Sequence, residues 1–237
     1  IALLAFATAL HANTYTVSNT NDSVAGSLRQ ALSDAAGHPG ADSIVFDSSL
    51  SGQTITLTSE IVITDTDGVT MDASSLAAGL TIAGGGDRLF SVSASKSLTL
   101  IRLKLTGGDG TGATQSGDGG AILNLGTLTL TSCTLSGNST TGSNSGGAVF
   151  NAGTLTASGC TFSGNTATTI GGAIANATNG AATLTNCTIA NNTQSASNTQ
   201  GGGGINHSTS ATSLTLIHCT VAGNTANGSD GGGGCGG

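Results

Sequence analysis

Along most of this chain, apolar and hydroxyl residues alternate in short runs such as Thr54-Ile55-Thr56-Leu57 and Leu98-Thr99-Leu100. A period of two puts alternate side chains on opposite faces of a strand. The pattern predicts an entry strand at Tyr15-Thr16-Val17. Further strands follow at Ile44-Val45-Phe46, Thr54–Leu57, Ile61-Val62-Ile63, Val69-Thr70-Met71, Leu80-Thr81-Ile82 and Leu89 to Val92. Gly, Asn and Ser fill the gaps, as in a chain of short strands and tight turns. Only residues 27–36 change period: Leu28, Ala31, Leu32 and Ala35 recur at helical spacing. Ser27 and Gln30 have capping-box spacing, and Gly37 and Pro39 end the segment. One short helix ahead of many strands predicts a lid over an exposed end.

The strand pattern is also a repeat. Gly119-Gly120-Ala121-Ile122 returns as Gly146-Gly147-Ala148-Val149 and Gly171-Gly172-Ala173-Ile174, then loosely as Gly202-Gly203-Gly204-Ile205. Between these boxes lie Cys133 to Asn138, Cys160 to Asn165, Cys187 to Asn192 and Cys219 to Asn224. The cysteines step by 27, 27 and 32 residues, while each Cys-to-Asn offset stays at five. Fixed spacing inside a box and elastic spacing outside it describe stacked coils with variable loops. The segment from Leu98 to Gly108 aligns on Leu128 to Asn138 without gaps, with Leu103 in the cysteine slot.

Each coil offers three strand-like pieces: the glycine box, a Thr-Leu-Thr piece and the cysteine box. The Thr-Leu-Thr pieces begin at Thr127, Thr154 and Thr183. The fold class expected is all-β, a right-handed parallel β-helix of the pectin-lyase-like type with one short capping helix. The expected division is a signal-peptide remnant at 1–12, a cap at 13–43 with its helix at 27–36, and about seven coils over 44–237. Alternation places Leu128, Leu155 and Leu184 inside, with Cys133, Cys160, Cys187 and Cys219 stacked as a reduced column of small hydrophobes. Asn138, Asn165, Asn192 and Asn224 fall where the chain turns; they suit left-handed backbone and an amide ladder between coils.

Composition narrows the function. Charged residues make up 7% of the chain, the net charge is −7, and no Lys or Arg follows Lys104. Phosphate neutralisation needs cations, so nucleic acid is not an expected partner, nor is an anionic membrane surface. Ile1 to Ala12 resembles the apolar core and cleavage region of a secretory signal, too short to span a bilayer. The C-terminal Gly231 to Gly237 begins a further glycine box containing Cys235. The expectation is a fragment of a longer exported protein whose anchor lies elsewhere, with no indication of oligomeric state.

The GGA[I/V] and [F/L/I/V]xxN boxes resemble the repeats of the polymorphic outer membrane protein family, which implies a surface-exposed β-helix. Thr16 to Leu57, including Gly26-Ser27-Leu28-Arg29-Gln30-Ala31 and Ile44-Val45-Phe46-Asp47, resembles the N-terminal segment of bacterial secreted proteins named for a CSLREA motif. Gly26 replaces the Cys of that motif and Gln30 its Glu. Neither resemblance brings catalytic residues with it.

Candidate chemistry is confined to the early coils. Asp42, Asp47, Asp65, Asp67, Asp72 and Asp87 could form acid pairs or a calcium set, with Arg88, Lys96, Arg102 and Lys104 as base or clamp; turn capping is the alternative role for the acids. Gly108-Asp109-Gly110 and Gly117-Asp118-Gly119 weakly resemble calcium loops but fit an insertion between coils. His207 and His218 read as surface or turn residues. The cysteines lack the paired spacing of a metal site, so no catalytic residue, metal or cofactor is assigned. Outward Thr pairs at Thr127/Thr129, Thr154/Thr156 and Thr183/Thr185, with Ser213/Thr215, raise an ice-binding alternative. The reading is a non-catalytic, secreted or cell-surface solenoid, adhesin-like or structural, meeting glycans or another cell through loops at 107–117, 139–145 and 193–201. A carbohydrate-active or glycan-binding β-helix stands second and an ice-binding solenoid third.

Overall fold

A computed structural model describes residues 11–115, 117–196 and 201–227; the signal-like residues 1–10 and Cys235 lie outside them. The strands stack as three parallel sheets, which we call faces 1, 2 and 3. Face 1 has eight strands: Thr14–Val17, Asp42–Phe46, Val69–Asp72, Ser97–Ile101, Thr127–Thr131, Thr154–Ser158, Ala181–Thr185 and Ser213–Ile217. Face 2 has seven, from Thr54–Leu57 to Thr220–Ala222, and face 3 has six, from Ile61–Ile63 to Ile205–His207. A short fourth ladder joins Thr166–Ala167, Thr193–Gln194 and Thr225–Ala226. Every pairing is parallel and to the neighbouring coil, the signature of a parallel β-helix of about seven turns.

From Ser97–Ile101 onward, two corners per coil are set by single left-handed residues. Between faces 1 and 2 they are Arg102, Ser132, Gly159, Asn186 and His218, with φ of 51° to 63°. After face 2 they are Gly107, Gly137, Gly164, Asn191 and Gly223. The left-handed turn therefore falls on the residue before Asn138, Asn165, Asn192 and Asn224, and not on the asparagines. Strand alternation explains this: the asparagines must point inward to meet their copies, while the corner residue points out.

The glycine boxes are not themselves strands. Face 3 begins at their last residue, as in Ile122–Asn124 and Val149–Asn151. The first glycine takes positive φ (Gly119 69°, Gly146 72°, Gly171 66°). The second is required by contact: a Cβ on Gly147 would lie 2.1 Å from Gly172 O, and one on Gly120 would lie 2.0 Å from Gly147 O. Neighbouring coils touch backbone to backbone there, so no side chain fits.

Register differs from the Thr-Leu-Thr alignment in one coil. Leu155 pairs with Ala182, and Leu184 pairs with Ala157. Leu184 is buried, but in the inward column next to that of Leu128 and Leu155. A slip of two residues preserves which side faces inward, so alternation alone cannot detect it.

The helix Leu28–Ala36 joins the first two strands of face 1. Ser27 Oγ accepts the Gln30 N–H at 3.2 Å, and Leu28, Ala31, Leu32 and Ala35 are buried. Arg29 donates to Ser59 O and Glu60 O, satisfying carbonyls beside the first strand of face 3, and pairs with Asp22 at 2.9 Å. In the last described coil the inward Leu216 and Val221 are 42% and 37% exposed.

Two glycine substitutions should separate conformational strain from contact. Gly164→Ala, with open space around its Cβ, should cost about 1–2 kcal/mol of left-handed strain. Gly164→Asn should cost less, since Asn191 holds the equivalent corner. Gly147→Ala should exceed both, because backbone must move. Urea midpoints of the three variants give the comparison.

Candidate functional surface and interior ladders

Asn138, Asn165, Asn192 and Asn224 are buried and form one column. Each of the first three donates Nδ2 to the next Oδ1, at 3.0, 2.9 and 2.9 Å, and the same Oδ1 accepts its backbone N–H. Their Nδ2 atoms also donate to carbonyls of the preceding coil, at Leu105, Leu135, Phe162 and Ile189. Buried amides need such saturation, and here each coil supplies it for the next.

A second column, absent from the sequence expectations, runs along face 3. Asn124 Nδ2 donates to Asn151 Oδ1 at 2.6 Å, Asn151 Nδ2 donates to Asn176 Oδ1 at 2.7 Å, and Asn176 Nδ2 meets His207 Nδ1 at 3.0 Å. His207 is thus the terminal member of a ladder as well as a surface residue. The signal was present in the chain: each of these residues lies five positions after the first glycine of its box.

Cys133, Cys160 and Cys187 are buried free thiols in successive coils, and Cys219 is partly exposed. Their Sγ atoms donate to carbonyls at the face 1 corner, as with Cys133 to Leu100 O at 3.3 Å and Cys187 to Ala157 O at 3.5 Å. Cys133 N–H points to Cys160 Sγ at 3.4 Å.

The acidic candidates divide among separate turns. Asp47 accepts from Ser49 N–H and Oγ, Asp72 from Ser74 N–H, and Asp87 is half-buried before Arg88. Asp109 Oδ1 accepts Thr111 N–H, and Asp118 Oδ1 accepts Ser145 N–H. Three others meet at one corner. Asp65 caps Asp67 N–H and Gly68 N–H, Asp67 accepts Gly40 N–H, and Asp42 donates its N–H to Gly68 O. Asp42 and Asp65 are buried, and the Oδ2 atom of each lacks a hydrogen-bond partner. Beside this corner, Asp65 and Arg29 line a groove of about 260 Å³ with Leu32, Ile61 and Ile63.

Arg88 is unsuited to serve as a base or substrate clamp, because it is wholly buried. Nη1 pairs with Glu60 Oε1 at 2.5 Å, and the guanidinium donates to carbonyls of Gly110, Thr114, Gln115, Asp118 and Gly119. A buried arginine holds its charge only with this saturation. It fastens the long 107–121 connection to the body. Lys96, Arg102 and Lys104 lie elsewhere: Arg102 is a corner residue whose Nη1 donates to Ser74 O, and Lys104 points outward on face 2.

The outer side of face 1 is the most regular surface. Its central column runs in register from Thr14 through Ser43, Thr70, Thr99, Thr129, Thr156 and Thr183 to Thr215. From Ser97 onward the flanking columns are also Thr or Ser, except at Ile101, Ala181 and Ile217. After the helix, links entering face 1 are short, as at 125–126 and 152–153. The long connections at 107–121, 137–148 and 195–204 instead run between faces 2 and 3.

A model of the right-handed beta helix region matches residues 59–236. The chain belongs to the right-handed β-helix family. No curated protein and no solved structure matches it.

Within this β-helix the thiols and the cap carry the clearest ionisation effects. The Cys133 neighbour raises the Cys160 thiol to about 11, and Cys160, then burial, pushes Cys187 higher still. A thiolate is the reactive form, so Ellman's reagent at pH 8 should label Cys160 and Cys187 only after unfolding. Burial raises Asp22, but hydrogen bonds from Thr58 and Arg29 outweigh it and hold the carboxyl below its usual range. The unfolded chain then binds the proton more tightly, so this contribution is present above about pH 4 and lost on acidification. The urea midpoint of the β-helix should fall toward that of Asp22→Asn as pH drops from 7 to 3. Arg88→Met strands Glu60 in the interior and should cost about 3–5 kcal/mol, read from the same titrations.

Proposed function

We propose that this β-helix is a non-catalytic, exported solenoid of adhesin-like or structural type, working through its outer surfaces at or beyond a cell surface. The supporting observation is the in-register hydroxyl column that crosses all eight strands of face 1, an extended surface flanked by Thr and Ser over most positions from Ser97 onward. The fixing of the 107–121 connection by Arg88 adds to it, since a fastened loop presents a constant shape for contact. The signal-like opening residues and the resemblance of the boxes to polymorphic outer membrane protein repeats support export. So does the resemblance of Thr16 to Leu57 to the CSLREA-type segment.

A second reading has one foothold. The groove beside Asp65, with the unpartnered carboxyl oxygens of Asp42 and Asp65, is where a glycan-binding or carbohydrate-active centre would sit. A paired-carboxylate mechanism needs acids flanking one bond, whereas Asp65 is committed to capping its turn.

Incubation with a panel of polyuronides and neutral glycans should release no unsaturated or reducing products. Product formation abolished by Asp65→Asn or Asp67→Asn, with unchanged circular dichroism, would overturn the non-catalytic reading.

A further inference from the structure

We infer that the outer side of face 1 binds a crystalline water surface, which rests on the reading of this chain as a surface-acting solenoid and names its ligand. Coils repeat at about 4.8 Å, and outward residues along a strand repeat at about 6.6 Å. The hydroxyls therefore form a two-dimensional lattice, and its ligand must be periodic in both directions.

The chemistry of the lattice selects among periodic ligands. From Ser97 onward the outward positions hold no charge, no aromatic ring and no amide. A charged polymer would find no counter-charge there, and a sugar chain no ring to stack on and no bidentate partner. What is offered is a methyl and a hydroxyl at each Thr, with χ1 restricted by β-branching. The methyl holds ordered water off the backbone while the hydroxyl bonds to it, and little side-chain entropy is lost on contact. Among the described residues, no side-chain hydrogen bond occupies the hydroxyls of Thr99, Thr129, Thr156, Thr183 or Thr215. Thr140 and Thr168, on the opposite side, spend theirs on Asn144. The surface is free as well as ordered.

Geometry supports access. Face 1 repeats in register from coil to coil, and the two asparagine columns, away from this face, tie the same coils together. From Ser97–Ile101 onward the link after each face 1 strand is one or two residues, and the long connections leave at another junction.

The test is thermal hysteresis and ice-recrystallisation inhibition with the purified chain. The wild-type protein should open a freezing gap and facet ice crystals. Thr156→Tyr should abolish both, while Thr161→Tyr, outward on face 2, should leave both unchanged, with circular dichroism confirming that each variant folds. Absence of hysteresis and of recrystallisation inhibition in the wild type would overturn the proposal, as would equal loss in both variants. Binding to microcrystalline cellulose or chitin that Thr156→Tyr removes, without any effect on ice, would also overturn it and reassign the face. None of these results bears on catalysis, which the glycan panel reads separately.

Discussion

The structure depends on backbone-to-backbone stacking of successive coils in a fixed register. Every strand bonds to the equivalent strand of its neighbours, and at Gly120, Gly147 and Gly172 the coils approach too closely for any side chain. Whatever one coil points inward, the next points inward at the same place, about 4.8 Å away. An isolated buried amide would be costly, yet a column of them is self-satisfying, because each copy is the partner of the one before. A column must still end somewhere. At Asn138 the ladder continues into the Gly108 N–H, and at Asn176 it passes to His207 at the coil's outer margin. Backbone and a surface ring complete what the repeat cannot.

The same constraint accounts for the scarcity of charge. A charged residue at a repeated outward position would face its copy one coil away, an interaction of about 1 kcal/mol in water and more near protein. Hydroxyl residues carry no such repulsion and suit exposed strands. The cations and most acids therefore occur in the early coils, where successive turns differ in sequence and no copy sits beside them. Among the described residues, the one fully buried charge pair, Arg88 with Glu60, lies where the irregular 107–121 connection supplies carbonyls that no repeated coil could.

Much of the fold was legible because repetition is written in the chain. The cysteine boxes, the period-two runs and the Ser27-capped helix led to coils, to the interior column and to a lid. Register was harder: the four-residue connection before Ala181 lets Thr183 align with Thr154 by identity although it pairs with Thr156, and both alignments bury a leucine. The second asparagine column is masked in the chain because its members follow glycines whose role as turn formers already accounts for the box. The Arg88–Glu60 pair could not be read at all, since its members lie 28 positions apart and the other acceptors of the guanidinium are carbonyls, which carry no side-chain signature. The hydroxyl face lay between these cases. Its Thr-x-Thr pairs were visible, but only the observed pairing shows that they form one continuous column.

That column also explains where the chain tolerates variation. An added residue within a face 1 strand would reverse the direction of every side chain beyond it, breaking the hydroxyl rows and exposing the core. An addition between faces 2 and 3 lengthens a loop, at an entropic cost that rises only slowly with length. From Ser97 onward the observed connections follow that asymmetry, short beside face 1 and long between faces 2 and 3. A ligand with its own lattice, as inferred for face 1, would read spacing over many coils at once, so that a single displaced row would cost contact on both sides of it.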